Sequence, residues 1–442
     1  MSGPPPAQPQ LGSGRRRIVR LTPSADDGES RRSRNPRLAL ATVIAEGLLG
    51  RLAFGMISFA FPLYAFALGL SFFQIGLLIS LRTVVAIVLK PVAGWLSDRV
   101  GVRLVYLGGS LARIVAAAAL IFTGDLLGLT LVRTLQGASA AGRDVASLSV
   151  IARDAAKRVG SVYSWYTTAK HVGGVGGAAI AGVLLTASGE SFRFVFAVSL
   201  GLSLLPMAAA WFGLRELSNQ SSQSATDADP VPATKSSVGE LLRELSGPAS
   251  VAMLIATSAY MVHGIFPILA TEYAGLSEAQ TGVIYSLSAA IFLVAGPLFG
   301  WIVDRFGATI GISWRALANI GSSLLYIVAP GFAGLAVARI VDDSGKAAFR
   351  PGWAVAIARI AGADPARRGQ RLGALDTSQN IGEVIGPLLA GLLWSSGGVV
   401  LLFGVRIGIA IVAEIAALRF FGELGHLPRS LPGFLRRVSR DA

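Results

Sequence analysis

The 442-residue sequence contains no cysteine, and only 14% of it is charged. Without a thiol there is no disulfide, no thiolate metal site and no cysteine nucleophile. A soluble domain carries about 25% charged residues, so a water-soluble globule is a poor fit. Histidine is almost missing, with three residues. No metal constellation or nucleophile–base pair stands out, and no P-loop occurs. Enzymatic chemistry, a cofactor and ATP as driving force are therefore not expected.

What fills the chain is apolar: 53% of the residues, in long runs that recur along almost its whole length. A run of about 20 residues crosses a hydrocarbon core of about 30 Å. Twelve candidate spans lie at about 38–68, 73–97, 103–123, 126–149, 161–187, 192–213, 249–273, 278–302, 308–329, 332–358, 370–396 and 398–421. All should be helices, because only helices and closed barrels satisfy every backbone polar group in lipid. The alternating ten-residue strands of a barrel are absent from the sequence. The expected fold class is an all-α polytopic membrane protein with twelve transmembrane helices.

A formal charge of +14 invites comparison with nucleic-acid binders. The placement of the charge argues otherwise. Lys and Arg concentrate in the termini and the even-numbered connections, whereas the opposite loops hold one, Arg193. The positive-inside rule associates such a bias with cytoplasmic segments. Both termini are expected in the cytoplasm, and the lipid bilayer, not nucleic acid, is the expected partner. The Ala-, Gly- and Arg-rich composition suggests a bacterial cell inner membrane.

Residues 1–37 are rich in Pro, Ser and Arg without an apolar run, and read as a disordered basic tail. No short apolar core or cleavage site follows the arginines, so a signal peptide is not expected. Residues 38–213 and 249–421 form two six-span halves. The 214–248 connection reads as a cytoplasmic linker, and 422–442 as a second basic tail. Val238–Leu245 has the pattern of a short amphipathic helix on the membrane surface. Phe434–Val438 has it too, with a plain solvated tail as the alternative.

The halves are related by an internal repeat. Gly94-Trp95-Leu96-Ser97-Asp98-Arg99-Val100-Gly101 returns as Gly300-Trp301-Ile302-Val303-Asp304-Arg305-Phe306-Gly307, an offset of 206 residues. The same offset relates Leu70-Ser71 to Leu276-Ser277, Gln74 to Gln280, Gly76 to Gly282, Pro91 to Pro297 and Arg133 to Arg339. It then rises to 209, pairing Gly173, Gly177 and Gly182 with Gly382, Gly386 and Gly391. Chance does not hold one register over such a length. Parallel repeats of this kind place a substrate path at the interface between halves in one large class of transporters.

These residues carry a resemblance. Over about residues 38–421 the chain resembles a major facilitator superfamily transporter, which implies two pseudo-symmetric six-helix bundles. The repeated G-x-x-x-D-R-x-G loop resembles the superfamily's signature loop, and Arg133-Thr134-Leu135-Gln136-Gly137 resembles its fourth-helix motif. Gly382-Glu383-Val384-Ile385-Gly386-Pro387 resembles the G-x-x-x-G-P motif that marks antiporters when it lies in helix 5. Here helix 5 has Ala178 at the proline position, and the full motif sits in helix 11, with Gly391 one turn further on. The resemblance implies a cytoplasmic gate at Gly94, Asp98, Arg99 and Gly101 and at Gly300, Asp304, Arg305 and Gly307. A carboxylate at such a helix end can pair with arginines or with a neighbouring helix N-terminus. It then acts as a latch made in one conformation and broken in another. A fixed surface turn is the alternative.

Charges inside the spans point to function. One facing lipid at a helix centre costs about 2.5–3.5 kcal/mol even on the lenient insertion scale, so these side chains must face water, each other or the helix ends. In the tenth span Arg339, Asp343, Lys346 and Arg350 follow steps of 4, 3 and 4 and share one helical face, with Asp342 adjoining. In the eleventh, Asp376, Asn380, Glu383 and Pro387 repeat those steps. Two such stripes read as walls of one hydrated path; an ion ladder that only joins helices is the alternative for the tenth span. Asp376 and Glu383 are expected to take up protons, since burial favours the neutral carboxyl, with structural hydrogen bonding as the alternative. Glu46 and Arg51, about 140° apart around the first span, should each find a partner elsewhere. The resemblance associates Arg133 with proton handling, and Arg143-Asp144 lies near the gate. His171 and His263 read as core groups.

The spans of the first half hold seven bases against two acids, those of the second five against five. The excess favours an anionic substrate, although arginines near helix ends also snorkel. The expected function is secondary transport of a small molecule, an organic anion or metabolite, by alternating access with proton coupling, in a chain that works as a monomer. The alternatives are facilitated diffusion, a transport-inactive scaffold or assembly factor on the same fold, and an efflux antiporter for drugs or metabolites.

Overall fold

The computed structural model describes residues 36–154, 159–214, 238–362 and 367–424, together with Gly3. All regular structure among the described residues is helical. In chain order α1 is Pro36–Ala67, α2 Phe72–Val100, α3 Val102–Phe122, α4 Leu126–Asp154, α5 Val159–Ala187 and α6 Phe192–Gly213. The second half begins with α7, Val238–His263, and continues with α8, Glu278–Phe306, α9, Ala308–Val328, and α10, Phe332–Gly362. A last helical stretch, Arg368–Leu424, is divided by Gly397 and Gly398, whose φ/ψ angles are not helical. The part before this break is α11 and the part after it α12. The tail before residue 36, linker residues 215–237 and the 434–438 segment lie outside the described residues.

Two local features differ from the sequence reading. Val238–Leu245 is no separate surface helix but the start of α7, which continues unbroken to His263. Leu245 is buried there, and Glu244 accepts a hydrogen bond from Arg371 of α11 at 2.5 Å. The seventh span is interrupted instead near its other end. A short helix, Phe266–Ile268, and a π-turn, Leu269–Tyr273, follow α7. Pro267 explains the restart, because it has no N–H for the preceding ladder and suits a first helical turn.

The sequence repeat has a local physical cause. Ser71 accepts from the Gln74 amide at 3.2 Å while Gln74 Oε1 accepts from the Ser71 amide at 2.9 Å. Ser277 and Gln280 do the same at 3.2 and 3.0 Å. These capping boxes open α2 and α8. Both helices end on a glycine in the left-handed region, Gly101 at φ 93° and Gly307 at φ 101°, a conformation that glycine adopts without steric cost. One residue thus turns α2 into α3 and α8 into α9. Eight stretches are long and apolar enough to cross a membrane, the last covering α11 and α12 together. The charge-bearing α4 and α10 are not among them, and neither is α9.

Bare backbone joins the helices, as expected where lipid supplies no hydrophobic drive. Within the halves, Cβ atoms at Gly173 and Gly177 of α5 would stand 2.2 and 2.0 Å from the carbonyl oxygens of Leu48 and Leu52 in α1. Their repeat mates Gly382 and Gly386 of α11 face Met253 and Thr257 of α7, at 2.4 and 2.8 Å. Between the halves the most extensive contacts are α2 with α11 and α5 with α8, and α1 also meets the Phe266–Ile268 helix and Tyr285 of α8. A Cβ on Gly76 or Gly391 would lie 2.3 Å from the carbonyl oxygen of Pro387 or Phe72, and one on Gly182 would lie 2.3 Å from that of Glu278.

These contacts lie at the end away from the repeated loops. There one continuous core draws on both halves, with Met56, Phe59, Leu63 and Ile75 beside Met261, Phe266, Tyr285 and Leu402. At the loop-bearing end the core divides. Val43, Tyr106, Val150 and Tyr166 belong to a cluster of the first half alone, and Val251, Trp353, Leu375 and Ala417 to one of the second.

Candidate functional site

Three ionisable groups organise the interior. The first lies in the second half, where the α10 stripe folds in on itself. Asp342 accepts from Arg406 of α12 at 2.6 Å and Arg315 of α9 at 3.2 Å, and pairs with Lys346 at 2.6 Å. Asp343 accepts from Arg339 at 2.9 Å, from Lys346 at 2.8 Å and from the Ser288 hydroxyl of α8. Arg406 also donates to the Ser258 carbonyl of α7 at 2.9 Å, to Asn319 Oδ1 at 2.9 Å and to Ser323 at 2.8 Å. Arg315, Arg339, Arg406 and both aspartates are at most 3% exposed, whereas the Lys346 side chain is 18% exposed. The expected stripe is thus a sealed ion network over Arg339, Asp342 and Asp343, and Lys346 leads out of it. Charges this deep persist because each has partners that replace water.

The second group lies in the first half. Glu46, 1% exposed, accepts from Arg113 of α3 at 2.9 Å and Arg143 of α4 at 3.1 Å. Asp144 pairs with Lys170 of α5 at 2.9 Å. Arg133 is buried and donates to the Leu78 carbonyl of α2 at 3.0 Å and to Gln136 at 2.9 Å, with its guanidinium 4.1 Å from the Phe61 ring centre. Its repeat mate Arg339 has a carboxylate instead, because the position matching Asp343 is Gly137. A Cβ on Gly137 would already stand 2.6 Å from the Arg82 carbonyl.

The third group faces the seam between the halves. Ser80 of α2 donates to the Val384 carbonyl of α11 at 2.6 Å. Next to this bond, Glu383 has the Tyr260 hydroxyl of α7 beside it, and Arg82 and Lys90 of α2 within electrostatic reach. Arg82 lies over Phe54 of α1 at 4.3 Å, and Arg51 approaches the same ring at 5.7 Å. Asp376 is exposed and accepts from Asn380 at 3.0 Å. On the opposite wall Arg350 lies over Phe292 of α8 at 4.9 Å, and His171 of α5 meets that ring edge-on at 4.1 Å. Of the expected site residues, Arg339, Asp342, Asp343 and Lys346 come together. Arg51, Arg350, Asp376, Asn380 and Glu383 border the seam, and Glu46 and Arg133 are tied inside the first half.

The family model described as Major Facilitator Superfamily matches residues 47–262 and 248–437. The chain belongs to the major facilitator superfamily. This is the family that the sequence motifs resembled. A multidrug resistance protein B homolog of Mycobacterium tuberculosis is 32% identical over 138 residues, 31% of this chain and 25% of that protein. An uncharacterized MFS-type transporter of the same organism is 29% identical over 195 residues, 42% of this chain and 33% of that protein. The aligned stretches thus span a third or less of those relatives. Among solved structures, the peptide transporter POT in mutant form superposes with a TM-score of 0.71 at 15% identity, covering 88% of this chain and 95% of that one. The nucleoside transporter NupG, also as a mutant, gives 0.69 at 14%, covering 87% and 100%. An inward-facing, unoccupied bacterial homolog of the human lysosomal transporter Spinster gives 0.65 at 16%, covering 87% and 94%. At these identities the likeness is one of fold.

The superfamily's signature loop takes the same form in both halves. Asp98 and Asp304 are exposed and make no ion pair among the described residues. The neighbouring arginines lie on aromatic rings, Arg99 on Trp95 at 4.3 Å and Arg305 on Trp301 at 5.5 Å. Gly94 and Gly300 have open space where a Cβ would sit, while Gly101 and Gly307 make the left-handed turns.

Arg82, Arg113, Arg315 and Arg406 are among the twelve span bases in the sequence, where nothing in their spacing gives them a role of their own. A lone arginine in an apolar helix has to find a distant carboxylate or carbonyl, and that signal marks Arg315 and Arg406 as partners of the acids in α10.

Proposed function

We propose that the protein is a proton-coupled secondary transporter that moves a small molecule by alternating access, its two six-helix halves rocking about a site between them. One observation carries this reading: the halves share a core at one end only and have separate cores at the loop-bearing end. With the basic tails and loops in the cytoplasm of a bacterial inner membrane, the seam opens inward in this conformation. Ionisable groups of both halves border it, and a passive scaffold has no need of them. Glu383 and Asp376 are the proposed proton carriers. Arg82, Arg51 and Lys90 make an anionic substrate the favoured class, and a monomer contains the whole site.

Efflux of drugs or metabolites is the second reading, favoured by the likeness to the multidrug resistance protein B homolog. Flux into and out of proteoliposomes, with and without a pH gradient, separates the readings. Proton-driven accumulation in one direction supports coupling and fixes that direction. Flux indifferent to pH supports facilitated diffusion, and no flux for any compound supports a scaffold.

A further inference from the structure

The cations at the seam are less well matched than those in the two networks. Arg51, Arg82, Lys90 and Arg350 have no carboxylate at ion-pair distance among the described residues, although the seam holds the acids Glu383 and Asp376. Arg82 is the sharpest case. Its Nε is buried without a hydrogen-bond partner, although a guanidinium offers five donors. Arg51 approaches the Phe54 ring that Arg82 covers, and each cation feels the other's repulsion. Two guanidinium groups gathered on one phenyl ring are unfavourable alone, and an anion between them removes the repulsion and completes their hydrogen bonds. Two acids act on Arg82 from beyond ion-pair distance: Asp144 of α4, which also faces Arg51 and is already paired with Lys170, and Glu383 across the seam, one residue from the Ser80–Val384 bond that fixes α2 on α11.

We propose that Arg82 and Arg51, gathered on Phe54, form the subsite for an anionic group of the substrate, a carboxylate or a phosphate, and that Glu383, the acid near Arg82 that no cation holds in an ion pair among the described residues, shares with Asp144 the neutralisation of Arg82 while the subsite is empty. The assignment rests on the transport reading above and adds the anchor for the anionic substrate favoured there. A bound anion takes over the field of Arg82. Glu383 is then left with Tyr260 of α7, Lys90 of α2 and Asp376 of its own helix as the groups that face it, and it takes a proton from solvent. With a carboxylate one negative charge enters and one proton follows, so the net charge of the seam is unchanged; a phosphate monoester, which carries close to two charges at neutral pH, leaves the seam about one charge more negative.

The test uses the purified full-length chain in detergent. Thermal stabilisation and calorimetry are measured with benzoate and phenyl phosphate, against neutral benzamide and cationic benzylammonium. At least one anion should bind while benzamide and benzylammonium do not, and the carboxylate and phosphate arms show which group is preferred. Arg82→Gln and Arg51→Gln should each weaken that binding about tenfold or more, and Arg99→Gln at the exposed loop should not. Should Arg82→Gln fail to fold, Arg82→Lys keeps the charge, loses the fork and should weaken binding as well. Calorimetry in buffers of different ionisation enthalpy should find proton uptake close to one per anion at neutral pH, lost in Glu383→Gln although the anion still binds. Equal binding of benzamide, no binding of either anion, or full affinity in Arg82→Gln overturns the assignment. Gradient-driven flux of a neutral or cationic compound would sink it and leave the transport reading standing. Anion binding without any flux would do the reverse.

Discussion

Gly76 lays its bare α-carbon against the carbonyl oxygen of Pro387, so close that a Cβ would stand 2.3 Å from that oxygen. Its repeat mate Gly282 meets the Ala179 carbonyl, where the corresponding distance is 2.9 Å. Both crossings join the halves at the end where they share a core. A backbone oxygen cannot swing aside as a side chain does, so the helices must part if either glycine gains bulk.

Gly76→Val or Gly182→Val should therefore disfavour this conformation and populate one closed at the loop-bearing end. The chain has no cysteine, so paired spin labels can be placed without background at the exposed Val100 and Phe306. Their distance should shorten in the valine variants. An unchanged distance distribution would mean that the glycines do not control this closure.

Asp342→Asn should destabilise the fold by about 3–5 kcal/mol, the usual result of removing one partner from a buried ion pair. It leaves Arg406 and Arg315 short of a counter-charge in a region with almost no solvent. Asp376→Asn, at an exposed position, should leave the thermal midpoint of the purified protein unchanged. Similar midpoints for both variants would show that the α10 network is not structural.

Asp98→Asn and Asp304→Asn should not lower the thermal midpoint, since neither carboxylate makes an ion pair here among the described residues. Both should slow turnover in proteoliposomes if the loops latch in the opposite conformation. Wild-type turnover in the double variant would favour the fixed-turn reading of these loops.

If Glu383 carries the coupled proton, substrate accumulation should rise as the pH on the uptake side falls, because protonation loads the carrier. Glu383→Gln mimics the neutral carboxyl permanently. It should abolish accumulation driven by the gradient and leave exchange between equal pools insensitive to pH. An exchange rate that keeps the wild-type pH profile would move the coupling to another group.

Much of the architecture was legible in the sequence. The spans follow from apolar run length, and the pairing of Gly76 with Gly282 and of Gly182 with Gly391 follows from the repeat register. The capping boxes of α2 and α8 were visible as repeated Ser and Gln residues. The α10 stripe was legible as a face, yet not as a sealed network, because its decisive partners Arg315 and Arg406 lie on other helices. Arg82 was likewise only one charge among several until the fold set it over Phe54 and opposite Glu383.

Composition and periodicity, which act between near neighbours, determined that this chain is helical, crosses a membrane repeatedly and is built twice over. The tertiary structure decided which buried charges neutralise each other, such as Asp342 and Arg406 across 64 residues, and at which end the halves meet. Those outcomes depend on which helix faces pack together, and the cost of an unpaired charge in a dry interior makes that choice decisive.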